Sequence, residues 1–310
     1  MPFVVEHFTL DTPQKAFLFL MRTFNITQKE AQRLIARGRL FVDEVPMTHT
    51  AGVVQGSFKV VRFVPDTQNN PPIFRNDDFA VFEKPSGILV HPSNRHTPYS
   101  LIDEVKFHLG ANANITHRID QETSGLVLAS CHKESEIALK GAFEHRQIKK
   151  EYLALVRGRI DEPMLIDEPI DRHPDQEAIV KVMMRVDAAG KVSQTYIAPL
   201  KYFPHLNMTM VSANPKTGRQ HQIRVHLAHI GHAIVGDPLY GIPLDIAARF
   251  LERELSPQER LHYTKASRLL LHANRLYFHY NEARFDIAST ADFEAECYAA
   301  LALSSTTPPT

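Results

Sequence analysis

The segment Thr116-His117-Arg118-Ile119-Asp120-Gln121-Glu122-Thr123-Ser124-Gly125-Leu126 crowds polar and charged side chains into a short stretch that runs into an apolar one. Asp120 has three readings there: a nucleophile, a general base, or a turn former, because Asp, Thr, Ser and Gly bend the backbone for local hydrogen-bonding reasons. Thr123-Ser124-Gly125 is not a nucleophile elbow, since G-x-S-x-G is absent. A second cluster runs from Pro215 to His226. Gly218 allows a turn, and a helix starting after it leaves free N–H groups beside Arg219, a favourable anion site. Arg224 lies next to the apolar stripe Ile223/Leu227/Ile230 rather than opposite it, which directs it into a cleft. An arginine so placed needs a carboxylate or phosphate partner. Lys149-Lys150-Glu151-Tyr152 opens a strand, where a tyrosine is commonly half-buried core, and Glu83-Lys84-Pro85-Ser86-Gly87 is a strand end entering a turn. His221, His226, His229 and His232 recur closely, but without H-E-x-x-H spacing and with no acidic neighbour before Asp237. No metal is expected there. Neither G-x-G-x-x-G nor a Walker loop occurs.

These residues need a scaffold, and the hydrophobic pattern supplies one. Strands are expected at Phe79–Phe82, Leu126–Ala129, Tyr152–Val156, Ala178–Val186, Val192–Leu200 and Leu206–Val211, and helices at Glu134–His145 and Gln220–Ile230. Consecutive strands without helices between 178 and 211 argue against a doubly wound parallel sheet. The expected fold class is α+β, with a mixed, largely antiparallel sheet in the main domain.

Residues 11 to 63 read as a small α+β unit. Asp11-Thr12-Pro13 looks like a cap before a first helix containing Ala16–Met21. Thr27 and Glu30 form a capping box for a second helix, which Gly38 ends. Short strands follow at Leu40–Val42 and Phe58–Val61. Lys29, Arg33, Arg37 and Arg39 gather on or just after the second helix, a grouping that fits a phosphate backbone or an ordinary solvated face. The expected organisation is a small domain over 1–64, a polar, proline-bearing linker over 65–72, a main domain over 73–303 and a disordered tail over 304–310. Residues 242 to 262 read as a polar surface insert.

Composition sets outer limits. The chain has 310 residues, 44% hydrophobic and 23% charged, ordinary for a folded protein and wrong for a disordered or collagen-like one. No apolar run is long enough to span a bilayer, and the start shows no basic stretch followed by an apolar block. Cys131 and Cys297 lie far apart and fit a reducing, cytoplasmic setting. Lys plus Arg equals Asp plus Glu at 35 each, so any nucleic acid must be held by local patches. From Ala188 to Gly236 no acidic residue occurs, which gives one such patch.

Taken in order, the clusters carry a resemblance. EKPSGILVHP, HRIDQETSGLVL, KKEYLALVRG, TGRQHQIRVHLAHIGHAIVGDPLYG and RLLLHANRLYF resemble the segments of the RluA-type pseudouridine synthases, from about Phe79 to about Phe278. The 11–63 unit is similar to the small RNA-binding domain that often precedes that catalytic domain, although Asp43 stands where asparagine is common and Gln55-Gly56-Ser57 replaces a glycine-aspartate turn. The resemblance implies an isomerase that converts uridine in ribosomal or transfer RNA to pseudouridine. It works without cofactor or metal, as a cytoplasmic monomer away from membranes. It implies Asp120 as the essential carboxylate, Arg224 as the cation paired with it, and Tyr152 as the site tyrosine. Ile223 would wall the base. Arg118 would replace the extruded nucleotide or hold a phosphate, and Arg219 and Lys84 would make further substrate contacts or serve as scaffold. Gly236-Asp237-Pro238 and Tyr240-Gly241 would be turn and packing elements. A catalytically silent RNA-binding or assembly factor with the same fold is the alternative.

Overall fold

The computed structural model describes residues 3–94, 97–172 and 182–301. The chain divides into two units, Met1–Gln68 with His91–Phe107, and Asn69–Val90 with His108–Thr310.

In the first unit, β1 (Phe3–Lys15) leads directly into α1 (Ala16–Phe24), followed by α2 (Gln28–Ala36), β2 (Leu40–Val42), β3 (Val45–Met47) and β4 (Val53–Phe63). The sheet order is β1-β4-β2-β3. Asp11-Thr12-Pro13 is not a helix cap: these residues lie in β1, where the register against β4 shifts between Leu10 and Gln14. Pro13 has no N–H to pair, and an irregular stretch of an edge strand is where that loss costs least. The α2 capping box forms as read, with Thr27 and Glu30 exchanging side-chain-to-backbone bonds. Gly38 takes a φ of 63°, which lets the chain leave the helix. Phe19, Phe58, Leu20, Ile35 and Val60 fill the core between helices and sheet.

The second unit holds β5 (Phe74–Arg75) and β6 (Phe79–Lys84), while α3 (Leu101–Leu109) straddles the division. There follow β7 (Asn114–Ile115), β8 (Ser124–Ser130), α4 (Lys133–Glu144), β9 (Lys149–Arg157), β10 (Met164–Asp167), β11 (Ile170–Arg172), β12 (Met184–Val186), β13 (Gln194–Phe203) and β14 (Met208–Pro215). The last elements are α5 (Gln222–His229), α6 (Leu244–Leu251), α7 (Pro257–Thr264), β15 (Leu271–Tyr280), β16 (Ala283–Ala288) and α8 (Phe293–Ala300). The main sheet runs β10-β13-β14-β9-β15-β8-β6-β5. Among the described residues its pairs are antiparallel except β8 with β15. The fold is therefore α+β with a mixed, largely antiparallel sheet.

The strand read at 178–186 falls partly outside the described residues, and β12 is its described remainder. The tail over 304–310 lies wholly outside them. The 242–262 stretch is no plain excursion but forms α6 and most of α7, and Ile246 and Ala247 are buried. Polar composition hid them because the turn after α6 and α7 itself are polar, while Ala247, Phe250 and Leu251 of α6 join a cluster with Val225, Leu239 and Tyr240. A second cluster, Phe79, Leu126, Leu128, Leu139, Leu276 and Phe278, packs α4 onto β6, β8 and β15. Burial of such side chains contributes about 2–3 kcal/mol each, enough to hold β8 rigid where it leaves the Asp120 loop.

Candidate active site

Asp120 lies in the loop before β8, and the protein holds that loop from two sides. Lys84 Nζ donates to the carbonyls of Pro85, Ile88 and Gln121 at 2.7, 2.8 and 2.9 Å. Ser86 Oγ donates to the Glu122 carbonyl at 2.6 Å, and the Gly87 N–H donates to the Gln121 carbonyl at 2.9 Å. From α7, Arg260 donates to the Glu122 carboxylate. At the end of the loop Gly125 sits at φ 103°, and a Cβ there would lie 2.3 Å from the Ala273 carbonyl oxygen on β15. Only glycine lets the loop enter the sheet at that point.

Opposite the loop stands α5. Its Arg224 is buried, and its guanidinium joins two carboxylates. Nε and Nη2 donate to the two oxygens of Asp237 at 2.8 Å each, and Nη1 donates to Asp120 Oδ2 at 3.1 Å. Asp237 is fully buried and also accepts the backbone N–H groups of Leu239 and Tyr240 at 2.9 and 3.1 Å. The Tyr240 ring covers the guanidinium at 5.1 Å. Burial alone would weaken the arginine's hold on its proton, but Asp237 first and Asp120 next raise its pKa above the ordinary value. Arg224 is thus a fixed cation with one face clamped and the other offered to Asp120.

Around Asp120 lies a cavity of about 490 Å³. Arg118, Tyr152, Arg219, Ile223 and Arg224 line it, together with His117, Lys150, Gly218 and His221. So the structure brings together all the residues read for chemistry in the main domain save Lys84. Lys84 fits the scaffold half of its reading and not the substrate-contact half, an expectation to correct: it is fully buried and spends its three donors on carbonyls, so it holds the loop. Burial brings its pKa down to about 7, with Glu122 and Asp120 opposing the drop. Tyr152 is buried on β9, and burial together with the Asp120 charge pushes its phenol above the usual value. Its ring therefore meets the cavity as a neutral phenol. Arg118 is exposed and Arg219 half-buried, the latter donating to the Val192 carbonyl at 3.3 Å.

Asp237 corrects a second expectation. It is the anchor of Arg224, not merely a turn residue. The signal was present in the sequence, since Asp237 is the first acid after a long acid-free stretch and a buried arginine requires one. His221 was also missed. It adopts φ 54° at the start of α5, shares a 2.8 Å hydrogen bond between Nδ1 and Tyr240 Oη, and sets Nε2 3.8 Å from Asp120 Oδ2. Burial and then Arg224 lower its pKa to about 4, so the ring is neutral. Among the described residues no cluster of histidine, cysteine and acidic side chains is placed to hold a metal. His226 is occupied by Thr195 and the Glu168 carbonyl, and His232 by the Arg157 carbonyl.

Comparisons with known proteins fit this geometry. A family model described as RNA pseudouridylate synthase matches residues 78–229. A Helicobacter pylori protein described as an uncharacterised RNA pseudouridine synthase is 36% identical over 289 residues, covering 93% of this chain and 94% of its own. The chain belongs to the RluA-type family of RNA pseudouridine synthases. It is an isomerase that acts on uridine in RNA. The ribosomal large subunit pseudouridine synthase D of Nitrosomonas europaea is 36% identical to the synthase over 174 residues, 54% of this chain and 49% of that protein. The human protein RNA pseudouridylate synthase domain containing 1 shares the fold, with a TM-score of 0.58 at 24% identity over 73% of this chain and 86% of that one.

Proposed function

We propose that the synthase isomerises specific uridines of ribosomal or transfer RNA through Asp120, without cofactor or metal. The observation that carries the reading is the Asp237–Arg224–Asp120 chain, which aims a carboxylate at a cavity walled by Tyr152 and Ile223. A carboxylate so held acts on the ribose as nucleophile at C1′ or as base at C2′, and its aim is fixed before substrate arrives. In this reading Tyr152, which lines the cavity, stacks on the extruded uracil, and its oxygen assists loss of the C5 proton. Arg118, exposed at the cavity rim, fills the place of the extruded nucleotide or holds a phosphate. Extrusion costs a few kcal/mol, which stacking and phosphate contacts offset. Asp120→Asn is expected to lose turnover at least 10³-fold while RNA binding survives, read as pseudouridine formed on RNA from cells lacking the protein. Near-normal product from Asp120→Asn would overturn the assignment. Binding by the native protein without any product would favour the silent RNA-binding alternative.

The reading also assigns residues 1–64 to RNA binding, 65–72 to a linker and 73–303 to catalysis. Lys29, Arg33 and Arg37 are exposed on and just after α2, and Arg39 lies 4.6 Å over the Phe3 ring. Burial and then the charges of Arg33 and Arg39 lower the Arg37 pKa, a sign of crowded cations that an RNA backbone would relieve. A cytoplasmic monomer completes the proposal, supported by two free cysteines, Cys131 half-buried and Cys297 buried. Sedimentation of the purified protein tests the oligomeric state. Mapping pseudouridine across total RNA with and without the gene names the target, seen as loss at one or a few positions.

A further inference from the structure

Lys150 has no role in the chemistry described so far, and its surroundings are unusual. It stands two residues before Tyr152 on β9, so both side chains leave the same face of the strand, toward the cavity. Its ammonium makes no hydrogen bond or ion pair with any described residue. Burial lowers its pKa, and no acidic neighbour opposes the drop. The adjoining His117 ring cannot serve as an anion, since its Nε2 accepts the Leu128 N–H at 3.0 Å and burial with the Lys150 charge holds its pKa near 3. A half-buried cation left unpaired is costly unless something else pairs it.

A second hollow of about 220 Å³ adjoins the reaction cavity, and Lys150, Phe143, Thr217 and Gly218 line both. Arg146, Lys149 and Lys216 also line it, and among the described lining residues none is acidic. A Cβ placed on Gly218 would lie 3.8 Å from Lys150 Nζ, so the ammonium sits over bare backbone. Such a floor allows a bulky anion to approach closely.

We infer that this hollow is a phosphate subsite, in which Lys150 binds the phosphodiester linkage next to the uridine held beside Asp120. The inference rests on reading the Asp120 cavity as the uridine site. The linkage leaves the cavity on the Lys150 side, and its charge takes the place of the missing carboxylate partner. Arg146, Lys149 and Lys216 draw the strand in without specifying its sequence. Lys150 acts through position and charge, so it contributes to binding and to the angle at which the ribose meets Asp120.

The test uses total RNA from cells lacking the protein, with pseudouridine formation and filter retention measured across a series of KCl concentrations. Lys150→Gln is expected to raise the half-saturating RNA concentration about tenfold, with kcat moving less, and to make the slope of log affinity against log salt shallower by about 0.7, the share of one phosphate on a single strand. Lys150→Arg is expected to restore the slope. An unchanged slope in Lys150→Gln overturns the subsite, whether or not turnover falls, because a purely structural lysine does not release counterions. Asp120→Asn separates the two levels. If it still turns over, the uridine site is misassigned, while the Lys150 slope in the retention assay continues to judge the phosphate contact by itself.

Discussion

At the residue scale the site is a chain of charges in which each member is fixed by the next. Asp237 accepts four donors, Arg224 is spent on Asp237 and Asp120, and Asp120 keeps a partly exposed face for substrate. Removing the buried end strips the buried guanidinium of two of its three bonds and leaves only Asp120 opposite it, which costs about 3–5 kcal/mol. Asp237→Ala is therefore expected to lower the unfolding free energy from urea titration by that amount and to lower kcat at least 10²-fold, because the guanidinium is no longer fixed in its aim at Asp120. Two half-buried histidines set a pH dependence. His117 and His221 hold folded pKa values near 3 and 4, below the unfolded 6.5, so their contribution is complete above pH 6.5. As pH falls through the window from 6.5 toward 4, the unfolded chain takes up protons that the folded chain refuses. Stability then drops by about 1.4 kcal/mol per pH unit for each ring. His117→Gln keeps an acceptor for the Leu128 N–H and is expected to flatten the urea-midpoint profile in that window by one ring's share. Of this chain of charges, Asp120, Arg224 and Tyr152 were legible from motif order. Asp237 left a signal, the first acid after the acid-free stretch, that reads locally only as a turn, and His221 left none, because its place follows from what Asp120 and Tyr240 require in three dimensions.

At the element scale the loop before β8 depends on how tightly β8 and β15 approach. The Ala273 backbone leaves no room for a Cβ on Gly125, and φ there is positive. Gly125→Ala is expected to destabilise the protein by about 2–4 kcal/mol, read by chemical denaturation, and to reduce turnover further by displacing Asp120. The strands and helices nearest the site were readable because their apolar runs are short and bounded: β9 and α4 fall within a residue or three of expectation. Two failures have physical causes. Residues Asp11–Pro13 carry the chemistry of a cap, yet β1 absorbs them at a register shift. The α6–α7 insert reads as polar because charged and polar residues from Glu252 to His262 outweigh the apolar run of α6. Its link to the site, Arg260 to Glu122, pairs residues 138 positions apart, which no local pattern reveals.

At the scale of the whole molecule, zero net charge leaves any RNA affinity to local patches, and the sequence offers two candidates, α2 with its flank and the acid-free stretch from Ala188 to Gly236. The triple change Lys29→Gln, Arg33→Gln, Arg37→Gln in the full-length protein is expected to weaken RNA retention about tenfold and to reduce the salt slope, with kcat at saturating RNA held within about twofold. Filter binding alongside single-turnover rates checks both halves. The wider architecture was legible because strands follow one another without helices between them. The strand order was not, since β15, late in the chain, takes a place between β9 and β8. That placement has a consequence for synthesis. Ser124 meets His272 across 148 positions, so the segment bearing Asp120 leaves the translating ribosome long before the strand that seats it. At roughly 5–20 residues per second the delay is on the order of ten to thirty seconds. Until β15 has emerged, β8 lacks the partner whose backbone abuts Gly125, so the Asp120 loop has no finished sheet to hold it in place.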